Sequence, residues 1–227
     1  MELSEVMRTT FAAREFLAQE VTNEQIGRIL DNARFAPSGG NRQGWKVIVV
    51  RKEETREALV PLIEPIFRHY LAQVQAGESP WNTINETNLT QEEIDRQDLP
   101  KGFVENLVHA PVLLFVFLDL SVVASFDSKL DRVGVISGAS IYPFVWNILL
   151  AARNEGLGGT ITTFVGGSES ELRDLLRVPD HYAFSAMIPI GKPNKQLTRL
   201  TRNPVKSFAV LETFDGASFD LQSLNTG

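Results

Sequence analysis

Apolar residues along this chain switch between helical and strand spacing, and the switches divide it into elements. Leu3, Val6, Met7 and Phe11 recur at helical intervals, which predicts a first helix over residues 3 to 11 that stops before Arg14-Glu15-Phe16. A second start follows: Thr22 and Gln25 form a capping-box pair, with Val21 and Ile26 placed for a hydrophobic staple. The stripe continues through Ile26, Ile29, Leu30 and Ala33, and Pro37 ends it. KVIVV (46 to 50) reads as a buried strand, and residues 53 to 76 read as helix with Pro61 and Pro65 as start or kink points. PVLLFVFLDL (111 to 120) is a second buried strand. Residues 137 to 154 form a helix apolar around most of its circumference, which needs cover from several sides. A third strand is expected at TITTFV (160 to 165), a short helix at 168 to 177 capped by Ser168 or Ser170, and a last strand at 183 to 191. The expected fold is α+β: a central, mostly antiparallel sheet flanked by helices.

Residues 77 to 101 interrupt this regularity. They are polar, with Trp81 alone among Gly, Ser, Asn, Thr, Asp and Gln, and read as a loop or lid. The tail beyond Lys192 is also polar, with scattered apolar anchors at Val205, Phe208, Val210, Leu211, Phe214 and Phe219. No internal repeat and no second-domain boundary is visible, so a single domain over residues 1–227 is expected.

Composition narrows the function. The chain has 227 residues and a net charge of −6, which argues against a broad nucleic-acid surface. It has no cysteine, so thiolate nucleophiles, disulfides and zinc ribbons are excluded. His69, His109 and His181 lie far apart and form no paired metal spacing. The longest apolar run has seven residues where a membrane span needs about twenty. The N-terminus lacks the basic-then-apolar order of a signal peptide, so a cytoplasmic protein is expected. No strand–GxGxxG–helix unit and no GxxxxGK[ST] pattern occurs.

The candidate chemistry lies in ARFAPSGGNRQGWKVIVV, 33 to 50. Gly39 and Gly40 permit close backbone approach and positive φ. Ser38, Asn41 and Gln43 bring donors and acceptors to one short turn, which suits the edge of an aromatic heterocycle. The same residues also suit an ordinary helix-to-strand turn, and both readings stand open on this segment alone. GLGGTITT (156 to 163) brings backbone N–H groups and hydroxyls to a strand start, or is a glycine cap followed by a plain strand. Arg14 and Arg202 are isolated arginines near the two ends of the pattern, and isolated arginines are mostly solvated charges.

Taken in order, RxF, VxxEQIxxILxxAxxAPSGGNRQ, SIYPxxxNxLLAARxEGLGxxxTT and a late Arg-x-Pro resemble the nitroreductase family of flavin enzymes. The resemblance runs from about Arg8 to Pro204. Similar motifs occur in the dehalogenating branch of that superfamily, which includes iodotyrosine deiodinase.

The resemblance implies FMN as cofactor. It places Thr10, Ala12, Ala13 and Arg14 in the N-terminal phosphate segment, where only Arg14 matches the family well, Phe11 and Ala12 stand where Arg and Ser are frequent, and Arg8 is a candidate substitute. Pro37, Ser38, Gly39, Asn41 and Gln43 match the segment lining the isoalloxazine and ribityl groups, with Gly44 where proline is usual. Ile161, Thr162 and Thr163 match the segment whose backbone faces the flavin N5 and O4 edge, and Arg202 matches the C-terminal phosphate arginine. Two guanidiniums suit a phosphate dianion. No protein acid, base or nucleophile is expected, because the flavin N5 carries the chemistry.

The implied activity is ping-pong electron transfer from NAD(P)H as co-substrate to a nitroaromatic, quinone or related acceptor. Reductive dehalogenation and flavin binding without turnover are the alternatives. The family also implies a homodimer with flavin sites at the subunit interface and exchanged terminal segments, the 205–227 tail embracing the partner. Trp81, Phe126 and Tyr142 are candidates to border the pocket.

Overall fold

The computed structural model describes residues 1–220; the end of the expected partner-embracing tail, 221–227, lies outside the described residues. Four strands form one sheet: β1 (Trp45–Val50), β2 (Val112–Asp119), β3 (Gly158–Gly159) and β4 (Tyr182–Gly191). Their order is β1-β2-β4-β3 and every ladder is antiparallel. The helices are α1 (Leu3–Thr9), α2 (Asn23–Ala33), α3 (Glu53–Glu57), α4 (Val60–Gln75), α5 (Gln91–Asp95), α6 (Phe103–Val108), α7 (Tyr142–Asn154) and α8 (Glu169–Leu176). Among the described residues no helix is long and apolar enough to cross a membrane.

The continuous apolar run of β2 follows from its position. On one face Val112, Leu114, Val116 and Leu118 pack with α2 and α7 through Ile26, Ile29, Phe144, Val145 and Ile148. On the other, Leu113, Phe115 and Phe117 pack with α4, α6 and α8 through Ile63, Phe67, Val104, Leu107 and Leu172. A strand buried on both faces has no polar alternation to show. β1, expected to be buried, is instead the edge strand: only Val50 is fully buried and Val49 is exposed.

The capping signals hold in detail. The Gln25 N–H donates to Thr22 Oγ1 at 3.2 Å and the Thr22 N–H donates to Gln25 Oε1 at 3.0 Å, while Val21 and Ile26 are both buried. Thr22→Ala is expected to cost about 1 kcal/mol, measured by urea unfolding; an unchanged midpoint would mean the cap carries no stability.

Several expected elements are corrected. The first helix ends at Thr9, not Phe11, because the Thr9 and Thr10 hydroxyls turn back onto the carbonyls of Glu5 and Val6. The 53–76 helix is two helices, the second starting one residue before Pro61, a position proline favours. Residues 77–101 contain α5, whose start carries a second capping box, Thr90 with Glu93. The helix expected from 137 begins at Tyr142, after a 3-10 turn at Ile136–Ser140. Ser168 stands at the N-cap of α8, but its hydroxyl donates to the carbonyl of Leu62 instead of capping.

The third strand also differs. Its ladder lies at Gly158–Gly159, and TITTFV keeps only a bridge from Thr162 to Met187 in the same register before a 3-10 turn at Phe164–Ser168. Close packing explains the shift. A Cβ on Gly159 would lie 2.6 Å from the carbonyl oxygen of Pro189, so only glycine pairs there.

Candidate functional site

A cleft of about 410 Å³ opens beside β3. Ile66 and Tyr70 of α4, Phe103 and Leu107 of α6, and the 3-10 residues Phe164 and Gly167 form its apolar walls, joined by Pro80 and Trp81. The walls are stacked: Phe67 and Phe103 lie 4.1 Å apart between ring centroids, and Tyr70 meets Phe164 edge-on at 5.5 Å. Arg14, Ile161, Thr162 and Thr163 complete the cleft. Among the described residues lining it, Arg14 alone is charged.

The sheet brings these distant residues together. Ala12 bridges to Gly159 in parallel, and the Ala13 N–H donates to the Gly159 carbonyl at 3.0 Å, which carries Arg14 to the end of β3. Arg14 is exposed, and its only hydrogen bond among the described residues is a long one, 3.4 Å, to the carbonyl of Ala12. Thr162 spends its backbone N–H and carbonyl on Met187, at 3.0 and 2.9 Å. Its hydroxyl is buried and has no partner among the described residues. Of the expected 161–163 contacts, Thr162 therefore offers only its side chain. Thr10 is buried with its hydroxyl on the Val6 carbonyl.

The Pro37–Gln43 loop lies elsewhere. The Ser38 hydroxyl accepts the Gln43 N–H at 2.9 Å, the Gly39 N–H donates to Ser140 Oγ at 3.1 Å, and Gln43 Nε2 donates to Asn41 Oδ1 at 3.1 Å. Positive φ falls on Gly40, Asn41 and Gln43, and Gly39 does not use it. Gly44, which stands where the family usually has proline, is packed: a Cβ there would meet Val122 at 2.7 Å. The segment behind Ser140 is organised by Asp127, a buried carboxylate accepting the N–H groups of Val135 and Ile136, the Arg132 guanidinium and the Ser125 hydroxyl. The Val135 N–H first, then Arg132, holds its carboxyl far below the ordinary aspartate range.

One chain does not unite the two groups. Trp45, at the loop's exit, is in register with Leu118 and through it with Ala183, whereas Gly159 pairs with Ile190. At about 4.8 Å between strands and 3.3 Å per residue, the diagonal is roughly 25–30 Å, longer than one flavin mononucleotide. Arg202 lines neither group among the described residues; it is exposed, with Nη1 donating to the carbonyl of Thr201. Its segment does start beside the N-terminal one: Gln196 Nε2 donates to the Thr9 carbonyl at 3.1 Å and the Asn194 N–H donates to the Glu15 carbonyl at 3.1 Å. Arg8 is exposed on α1. Of the three aromatic candidates, Trp81 lines the cleft, Phe126 stands 91% exposed away from it, and Tyr142 lines a separate groove. The sequence reading missed Tyr70, which looks like a plain core residue in a helical stripe, and Phe103, whose short helix α6 it did not predict.

The arrangement suits a planar, anionic ligand. Aromatic walls accept a flat ring, an unneutralised guanidinium accepts a phosphate or carboxylate, and an orphaned buried hydroxyl calls for a polar edge.

Comparison with known proteins identifies the family and the fold. The model of the Nitroreductase family matches residues 7–192. Iodotyrosine deiodinase 1 of Pongo abelii is 26% identical over 215 residues, covering 92% of this chain and 68% of that protein. Nitrobenzene nitroreductase of Ectopseudomonas oleovorans is 23% identical over 220 residues, covering 86% and 88%. A crystal structure of oxidised iodotyrosine deiodinase bound to FMN and 3-iodo-L-tyrosine superposes with a TM-score of 0.66 at 21% identity, covering 94% of this chain and all of the other.

Proposed function

The chain belongs to the nitroreductase family, and on that premise we propose that it is an FMN-dependent oxidoreductase moving electrons from NAD(P)H, by a ping-pong cycle, to a neutral aromatic acceptor such as a nitroaromatic or quinone. The observation that carries this reading is the aromatic cleft whose single charge is Arg14 and whose wall holds the unpartnered Thr162 hydroxyl. Arg14, with Arg202 brought round on the segment beside Thr9 and Glu15, would hold the phosphate, with Thr10, Ala12 and Ala13 setting the backbone that aims Arg14. Ile161, Thr162 and Thr163 would face the ring edge. When bound, FMN would supply hydride acceptance and donation at its N5. Tyr70, Trp81 and Phe103 exclude water from the space above.

The Pro37, Ser38, Gly39, Asn41 and Gln43 loop reaches the same flavin only from a second copy, so the working unit in this reading is a cytoplasmic homodimer of single-domain chains. The open groove of about 720 Å³ along Leu120, Val135, Tyr142 and Trp146 supports that assembly. It leaves one flank of α7 uncovered, and the exposed Phe208 and Phe214 of the tail are apolar enough to cover such a flank in the partner.

Reductive dehalogenation is the second reading, favoured by the likeness to the deiodinase over 92% of this chain. The cleft contains no carboxylate among its described lining residues to receive an α-ammonium group. A dehalogenating activity that used this cleft alone would suit a halogenated phenol better than an amino acid.

The test is spectral. The purified protein should show flavin absorption, bleach on anaerobic mixing with NADH or NADPH, and recover its colour with nitrobenzene. A protein that stays colourless after incubation with FMN ends the proposal, and one that stays yellow with both nicotinamides is a binder only. Thr162→Val offers a finer check. Removing an unsatisfied hydroxyl at constant shape should leave the flavin-free fold as stable or more so, while flavin affinity drops several-fold. Equal affinity would take Thr162 out of the site.

A further inference from the structure

Residues 78–88 form a loop closed on itself by one carboxylate. Glu78 Oε1 accepts the backbone N–H of Asn88 at 2.8 Å, and Oε2 accepts the Thr87 hydroxyl at 2.6 Å and the Gln73 side-chain amide at 3.2 Å. The Thr87 hydroxyl first, then the Asn88 N–H, holds the Glu78 carboxyl below the ordinary glutamate range, so it is an acceptor at neutral pH. Gln73 is buried on α4, and its Oε1 accepts the backbone N–H of Trp81 at 3.0 Å.

Trp81 itself is held in an unusual state. Its backbone is left-handed, φ 52°, which a bulky residue adopts only when its surroundings impose it. The indole leans on the His69 ring, 4.6 Å between centroids, yet remains 49% exposed where it lines the cleft beside Tyr70 and Phe103. A half-exposed tryptophan fixed from a buried glutamine contributes little to the core. It presents a flat apolar surface to the cleft instead.

Building on the flavin-enzyme reading, we propose that Trp81 is a preset wall against which the acceptor ring stacks, and that Glu78 and Gln73 are positioning residues that hold it there. The segment is thus a built side of the pocket and not a lid that waits for substrate to order it.

The hydrogen bonds have a fixed direction, which makes the idea testable. An ionised Glu78 only accepts, so Gln73 must turn its NH2 toward Glu78 and its carbonyl toward Trp81. In Glu78→Gln one of the two former acceptor positions becomes NH2. With the oxygen on the Asn88 N–H, Gln73 either faces donor with donor or turns over and points its own NH2 at the Trp81 N–H; with the oxygen on Gln73 and Thr87, the Asn88 N–H faces a donor and the 78–88 loop that carries Trp81 opens. Each outcome loosens the setting of Trp81 with almost no change in volume.

The experiment titrates the FMN-loaded protein with nitrobenzene, following tryptophan fluorescence and flavin absorption. Trp81→Ala and Glu78→Gln are each expected to weaken nitrobenzene binding about three- to tenfold, the range of an aromatic pair, and Trp81→Phe to keep most of the affinity. The double variant Trp81→Ala/Glu78→Gln should match Trp81→Ala alone, because Glu78 acts through the indole. Trp81→Leu replaces the alanine variant if that one does not fold. Unchanged binding in a yellow, active Trp81→Ala protein overturns the wall, and losses that multiply in the double variant overturn the positioning role. A colourless wild-type protein overturns this proposal and the flavin reading together, so the two failures are distinguishable.

Discussion

Arg14→Ala is expected to strip the protein of FMN, raising the dissociation constant about 10- to 100-fold, the equivalent of about 1.5–3 kcal/mol for a hydrogen bond to a charged group. Three facts set that size. Arg14 has no carboxylate partner among the described residues, so its charge is uncommitted. Among the described residues it is the single charge lining the aromatic cleft. The resemblance places Phe11 where the family often has a second arginine, so on the proposed reading Arg14 would carry more of the phosphate. Arg14→Lys should recover only part of the loss, because an ammonium cannot form the two-point contact of a guanidinium. Arg202→Ala should weaken retention by about tenfold or less. Equilibrium dialysis of FMN against each variant reads these constants directly. Because Arg14 is exposed, thermal unfolding of the flavin-free variant should match wild type, which separates lost binding from lost folding. Wild-type FMN affinity in Arg14→Ala would remove the cleft from consideration as the phosphate site.

Legibility in the sequence followed the physics of each element. The α2 start was readable because Thr22, Gln25, Val21 and Ile26 carry a local signature that needs no tertiary context. Thr90 and Glu93 carry the same signature, yet α5 went unread because the polar run around it lacks an apolar stripe. α6 has six residues, too few for a period to repeat. β2 was readable as a buried run, whereas the apolar string of β1 concealed an edge position that only the sheet order reveals.

The site divides in the same way. Ser38 with Asn41 and Gln43, and the GLGGTITT segment, were each visible as polar stretches, whereas Arg14 read as an isolated arginine until the family resemblance gave it a role. The placement of the two stretches at opposite corners of the sheet was not visible, because strand order and register are long-range properties. Trp81 stood out as the lone aromatic in a polar stretch. Tyr70 did not, since on a helix a pocket-facing aromatic and a core aromatic share one spacing, and Phe103 did not because α6 itself went unread.

Gly159→Ala should be damaging although residue 159 lies outside the cleft itself, costing about 1–3 kcal/mol in urea unfolding. The added methyl meets the Pro189 carbonyl oxygen at 2.6 Å and Leu149 at 3.1 Å, and the Pro189 oxygen belongs to the backbone of a paired strand that cannot swing aside. Relief comes only by moving β3 away from β4. That motion drags two site segments along, because Gly159 holds Ala13 through its carbonyl and Thr162 continues the same register to Met187. FMN affinity should therefore fall along with stability, although residue 159 contributes no side chain to the cleft. Gly27→Ala is the internal control. It lies in α2 with nothing within 4 Å of the new methyl, so the same substitution should stabilise by about 0.5–1 kcal/mol and leave flavin binding untouched. If Gly159→Ala unfolds like wild type and keeps its flavin, β3 is not what registers Arg14 against Thr162, and the route from sheet edge to site fails.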